Sequence, residues 1–164
     1  RYCMKESKKA GESYTEMSQL VLPNDTNLLG NLLGGQFMHW IDIVGAMVAS
    51  RHSNQKVATV SMDGLDFRHP IRQGELVLLK ATLIWVGNTS MQVAVEVYAE
   101  NMLSGKQMLT NVAKITFVAL DDNERPTRVP KLEIETPLQQ ERFDRAQARH
   151  DKIKKKREVS NDNN

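Results

Sequence analysis

Apolar positions along the chain fall into two regimes. Between Gly35 and Arg51 they crowd every side of a helical projection: Phe37, Met38, Trp40, Ile41, Ile43, Val44, Met47 and Val48 form no single stripe. This spacing, ended by "RHSNQ", predicts a helix over about 35–51. A helix apolar on nearly all sides must be enclosed rather than laid on a surface. Elsewhere the period shortens to two. "MSQLVL" (17–22) reads as a short strand stopped by Pro23-Asn24-Asp25. "KVATVSMDGLDF" (56–67) alternates imperfectly around Gly64, which predicts a bulge there. "GELVLLKATLIWVG" (74–87), "TSMQVAVEVYAEN" (89–101) and "KQMLTNVAKITFVALD" (106–121) complete five strands. In 89–101, Met91, Val93, Val95 and Val97 share one face, and Gln92, Ala94, Glu96 and Tyr98 the other. The links "PIRQ", "GN" and "MLSG" are short, and short links between long strands imply antiparallel neighbours.

These elements predict an α+β domain in which one long central helix is wrapped by a curved five-stranded antiparallel sheet, with the helix's second side covered by a twin subunit. Residues 1–14 are polar and are expected to be a flexible N-terminus, 15–130 to form the domain, and 131–164, set off by Pro130 and Pro137, to be a polar, basic C-terminal tail.

A length of 164 residues suits one domain. The single cysteine, Cys3, excludes an intramolecular disulfide and fits a reducing cytoplasm. No signal-peptide pattern opens the chain, and the apolar stretch 37–49 is too short to cross a bilayer, so no integral membrane contact is expected. Net charge is only +2, with the basic surplus in "RFDRAQARHDKIKKKR" (142–157). That segment could meet nucleic acid or an acidic membrane, but no groove-reading motif or aromatic platform accompanies it; a solvated, partly helical tail is the expectation, with a docked helix the alternative that the amphipathic spacing of "LQQERFDRAQARH" supports. With no Walker motif and no G-x-G-x-x-G, neither ATP nor a dinucleotide is expected, and no cofactor is implied.

The sharpest anomaly is Asp42, a carboxylate inside the apolar helix. By helical spacing it shares a low-relief face with Gly35, Met38, His39, Gly45, Ala46 and Ala49. An isolated buried carboxylate costs several kcal/mol, so it needs partners or water. Three readings follow. Asp42 accepts hydrogen bonds from a neighbouring subunit and does no chemistry; or His39 and Asp42 begin a metal site, for which His52, His69 and His150 offer no clear third ligand; or Asp42 is a general base. In the last case the free N–H groups around Gly34-Gly35 would bind an oxyanion.

"LPNDTNLLGNLLGGQFMHWIDIVGAMVASRH", "VSMDGLDFRHPIRQGELV" and "VGNTSMQVAVEV" resemble, in order and spacing, the acyl-CoA thioesterases of the hotdog fold, in the branch of small bacterial acyl-CoA hydrolases. The resemblance covers roughly residues 14–130. It implies a homodimer with one continuous sheet, often a trimer of such dimers, and hydrolysis of the acyl-CoA thioester. It also implies a working pair from opposing subunits: Asp42 on the helix and Asn27 in the preceding loop, with Asn31 ranked second for the Asn role. Many relatives carry His just before the Gly-Gly; here that residue is Leu33, so no imidazole role transfers.

The mechanism implied has Asp42 taking a proton from the attacking water, Asn27 orienting water or carbonyl, and the Gly35 N–H stabilising the oxyanion. Direct attack by Asp42 to give an anhydride is equally open. For the CoA end the candidates are Arg68 and His69 in "FRHP", Thr89 and Ser90 in "GNTS", and Lys114. The apolar faces of the helix and of 56–67 would hold the acyl chain. A competing reading from another class is a non-catalytic acyl-CoA sensor on the same fold; a hotdog dehydratase is disfavoured by the lack of a suitably placed His. Composition does not fix chain-length preference.

Overall fold

In the computed structural model, which describes residues 5–161, helix α1 spans Gly34–Ser53. Its C-terminus stops where Asn54 turns left-handed (φ 54°) and its N–H bonds the Ser50 carbonyl at 2.8 Å. Strands β2 (Thr15–Leu20), β3 (Lys56–Asp63), β4 (Leu76–Val86), β5 (Ser90–Asn101) and β6 (Lys106–Leu120) form one antiparallel sheet in the order β2-β4-β5-β6-β3. The sheet curls around α1. Ile41, Val44, Val48 and Ala49 of the helix are fully buried in one cluster with Val77, Leu79, Ala81, Val93, Val95, Val97, Ile115 and Phe117. The approach is close: a Cβ on Gly45 would lie 2.8 Å from Ile115 Cδ1, so any side chain there would push helix and sheet apart. Gly45 and Ala49 therefore face inward, whereas Gly35, Met38 and His39 face outward and Asp42 is half-buried.

Two of the three short links join neighbours as expected. "GN" turns β4 into β5, and the "MLSG" tip turns β5 into β6. "PIRQ" does not: β3 ends at Asp63, β4 begins at Leu76, and the connecting chain 64–75 carries β3 to the opposite edge, beside β6. Both strands are shorter than their patterns suggest, and the irregular segment between them is too long for a tight hairpin. The bulge in β3 falls between Thr59 and Ser61, at Val60, rather than at Gly64, which follows the strand with φ +80°.

The N-terminal residues expected to fray are packed from Ser7 onward; Cys3 lies outside the described residues. Strand β1 (Ser7–Lys9) pairs in parallel with β7 (Lys131–Glu133), so 131–133 belong to the domain and not to a free tail. Lys8 is buried because its ammonium caps the end of α1, donating to the Arg51 carbonyl at 3.0 Å and to Asn54 Oδ1 at 2.6 Å. Desolvation lowers its pKa.

Nor is the C-terminal segment wholly solvated. Helix α2 (Pro137–Asn161) crosses the outer face of the sheet. A second irregularity, between Leu83 and Trp85, leaves Ile84 and Trp85 both buried in a small cluster with Ala94, Ala146 and Phe143. Trp85 Nε1 donates to Gln147 Oε1 at 2.8 Å and the Trp85 ring meets His150 at 4.7 Å between centroids. Arg149 bridges Asp63 at 2.9 Å. Gln92 and Ala94, whose alternation assigns them to the polar face, are buried there. Beyond His150 the helix is exposed, as expected of a basic tail.

His52, fully buried near the end of α1, gives the fold a pH limit. Its Nε2–H donates to the Pro130 carbonyl at 2.7 Å, which leaves Nδ1 buried with no hydrogen-bond partner. Burial lowers its pKa below the ordinary 6.5. Between the folded-state value and 6.5 the unfolded chain holds more protons than the folded one, so stability should fall as pH drops below about 6.5. Urea midpoints measured at pH 8 and pH 5.5 should show that loss in the wild type and a smaller one in His52→Gln.

Candidate active site

Asp42 lies in the third turn of α1, on the side that the sheet does not cover. The strand beside that side is β3, at an edge of the sheet. Thr59, immediately before the bulge, donates its hydroxyl to Asp42 Oδ1 at 2.7 Å. The carboxylate is thus neither buried nor alone. It is half-exposed, oriented by one hydroxyl, and keeps lone pairs free to accept a further proton or hydrogen bond.

Asn27 sits in the loop between β2 and α1 and shapes it. Its Oδ1 accepts from the Leu29 N–H at 2.9 Å and the Asn31 N–H at 3.2 Å, and its backbone N–H bonds the Asn31 carbonyl at 2.9 Å. With the oxygen engaged inside the turn, the amide NH2 is the end left to act as donor. Asn27 and Asn31 both line a cavity of about 240 Å³, together with Leu32, Phe37, Phe67 and Ile71. Asp42 does not line it. Within one protomer, then, the two residues of the expected pair are not brought to one cavity.

Gly35, the second residue of α1, is exposed, and a Cβ there would meet nothing within 4 Å. The N–H groups of the helix's first turn have no partner within the helix, so this is an open donor terminus. No acidic side chain occupies that first turn to compete for it.

The residues expected at the CoA end are divided. His69 lines the asparagine cavity. Arg68 is next to it but largely exposed, its Nε donating to Asp66 at 2.6 Å, and this contact holds the Asp66 carboxyl below its ordinary range. Thr89 and Ser90 line a different cavity, of about 340 Å³, under the far end of α2 with Thr116, His150, Lys154 and Arg157. Lys114 is half-exposed in β6, opposite Asp63 on β3. Among the described residues, His39 and Asp42 gain no third donor for a metal.

Sequence reasoning passed over Thr59, because a threonine in an irregular strand is unremarkable until the helix it faces is known. It also passed over Asn111, whose signal was there: a polar residue in the middle of a long strand pattern, beside which the pairing of β6 with β5 shifts register. That side chain is 6% exposed and donates from Nδ2 to the Asp66 carbonyl at 2.9 Å.

Residues 29–106 match the family model of the thioesterase superfamily. Over 131 residues the chain is 39% identical to the uncharacterized acyl-CoA thioester hydrolase YkhA of Bacillus subtilis, covering 80% of this chain and 76% of that protein. Among solved structures, an apo-hexameric acyl-CoA thioesterase superposes with a TM-score of 0.85 at 36% identity, over 92% of this chain and 96% of that one. An acyl-CoA hydrolase from Staphylococcus aureus, solved with butyryl coenzyme A, coenzyme A and coenzyme A disulfide, superposes with a TM-score of 0.81 at 31% identity, over 95% of each chain. The S. aureus hydrolase has also been solved with an asparagine, an aspartate and a threonine each replaced by alanine, spaced fifteen and seventeen residues apart in that order.

Proposed function

The chain belongs to the thioesterase superfamily and is a hotdog-fold acyl-CoA thioester hydrolase, and from that premise we propose that it cleaves fatty acyl-CoA to free CoA and fatty acid at a site shared between two subunits. Asp42 of one protomer removes a proton from water as the water attacks the thioester carbonyl. Asn27 of the partner subunit orients the carbonyl or the water through its free NH2, and the Gly35 N–H stabilises the developing oxyanion. Collapse of the tetrahedral intermediate breaks the C–S bond, and CoA leaves as the thiolate.

The observation that carries this reading is the Thr59–Asp42 hydrogen bond on the uncovered side of α1. It aims a carboxylate at a surface where Met38 and Met47 of the same helix remain exposed, apolar ground suited to a twin subunit. Asn27, Asp42 and Thr59 have the same fifteen- and seventeen-residue spacing as the three positions altered in the S. aureus hydrolase. A homodimer joined through α1 and the β3 edge, three of which form a hexamer, agrees with the hexameric relative. His69 and Arg68, at the asparagine cavity and beside it, are assigned to the anionic end of CoA. Thr89, Ser90 and Lys114 lie elsewhere in the protomer and could reach CoA only across a subunit boundary. No described helix is long and apolar enough to cross a membrane, and the lone cysteine supports work in the reducing cytoplasm.

The test is direct. Incubated with acyl-CoAs of two to sixteen carbons and a thiol reagent, the protein should release free CoA in amounts far exceeding its own concentration. Tight binding without CoA release would instead make it a sensor on the same fold.

A further inference from the structure

One wall of the cavity lined by Asn27 and Asn31 belongs to no strand or helix. It is the connection 64–70, and it is fixed at few points. Gly64 turns it at positive φ, with Val112 O 2.4 Å from where a Cβ would sit, so no other residue fits without displacing β6. Asn111 Nδ2 holds the Asp66 carbonyl at 2.9 Å, and the Asp66 carboxylate folds back on the Arg68 N–H at 2.9 Å. Past Pro70, the Ile71 carbonyl accepts the Leu32 N–H at 2.7 Å. Between these ties Phe67 reaches across to the first turn of α1. Its Cε1 lies 3.3 Å from where a Cβ on Gly34 would be, and its ring meets Phe37 edge-on at 6.4 Å and 70°. The ring can occupy that place because residue 34 has no side chain.

Phe67 is 58% exposed and rests on one face only, so its position depends on the strap and not on core packing. Beside the asparagines, Asp66 and His69, the cavity is lined by Leu32, Phe37, Phe67, Pro70 and Ile71, and this apolar part is a surface for hydrocarbon. We propose that Phe67 is the residue that limits acyl chain length: its ring, held against Gly34 and Phe37 by the Asn111-anchored strap, closes the apolar end of the cavity. The inference rests on the reading of this cavity as the acyl-CoA site.

The experiment compares kcat/KM for butyryl-, octanoyl- and dodecanoyl-CoA among the wild type, Phe67→Ala and Phe67→Trp, with circular dichroism confirming that each is folded. Phe67→Ala should raise the dodecanoyl-to-butyryl ratio by about tenfold or more, the usual scale for altered apolar fit in a pocket, and Phe67→Trp should lower it. Equal effects on all three substrates, or a changed inhibition by free CoA with an unchanged length profile, would overturn the proposal. Should Phe67→Ala fail to fold, the Trp variant decides alone, by lowering the ratio or leaving it. A wild type that releases no CoA from any substrate would overturn the hydrolase reading itself, an outcome distinct from a working enzyme with an unmoved profile.

Discussion

Asp42→Asn should reduce the turnover of acyl-CoA by about two to four orders of magnitude, the usual worth of a positioned general base. The substitution is close to a pure removal of basicity. Asparagine has the size of aspartate and its Oδ1 can still accept the Thr59 hydroxyl, which bonds Asp42 Oδ1 at 2.7 Å. The side chain's place on α1 should therefore persist, and the loss should appear in kcat, measured as thiol release. Light scattering should find the assembly unchanged. Hydrolysis within a few-fold of the wild type would reduce Asp42 to a structural partner of Thr59 and require a different base.

Mixing two dead variants should restore activity. Asn27 lines the cavity beside Leu32 and Ile71 and Asp42 does not, which agrees with the proposal that each protomer supplies one residue of the pair. In a heterodimer of Asn27→Ala with Asp42→Ala, a two-fold interface places both defects in one site and leaves the other intact. Random reassortment of equal amounts makes half the dimers mixed, so about a quarter of wild-type activity should return. The variants must be co-expressed or refolded together, because an apolar interface will not exchange freely. Verified mixed dimers as inactive as either parent would sink the shared site while leaving the fold untouched.

The sequence displays the β4-β5-β6 meander and α1 because their signals are local: a period of two with short links, and a helical stretch apolar on every side. The edge that β3 joins is hidden, since 64–75 has no periodicity and the choice between β4 and β6 is made by the whole sheet. Docking of α2 is half visible, since the amphipathic spacing of "LQQERFDRAQARH" (138–150) permits it, but where the helix lands is hidden. Its contacts are made by Phe143, Ala146, Gln147 and His150 within a strongly charged helix. Its landing site exists only because an irregularity in β4 leaves Ile84 and Trp85 both buried beneath it. At the site, Asp42 stands out as a charge on an apolar helix, and Asn27 emerges only from resemblance. Thr59 and Phe67 carry no signal of their own, because each acquires its meaning from the helix turn it touches.

The strand order also governs the order of events during synthesis. Residues 56–63 of β3 pair with 114–120 of β6, partners that lie 51 to 64 positions further along the chain. At about 5–20 residues per second, a ribosome takes roughly 3–13 s to supply them. Helix α1 and β3 are made before any of β4, β5 or β6, the strands that bury Ile41, Val44 and Val48. Non-local pairing of this kind is slow and exposes apolar surface in the meantime. Enclosure of the helix is therefore a late event on the ribosome, and Phe37 to Val60 is the stretch a holding chaperone would meet first.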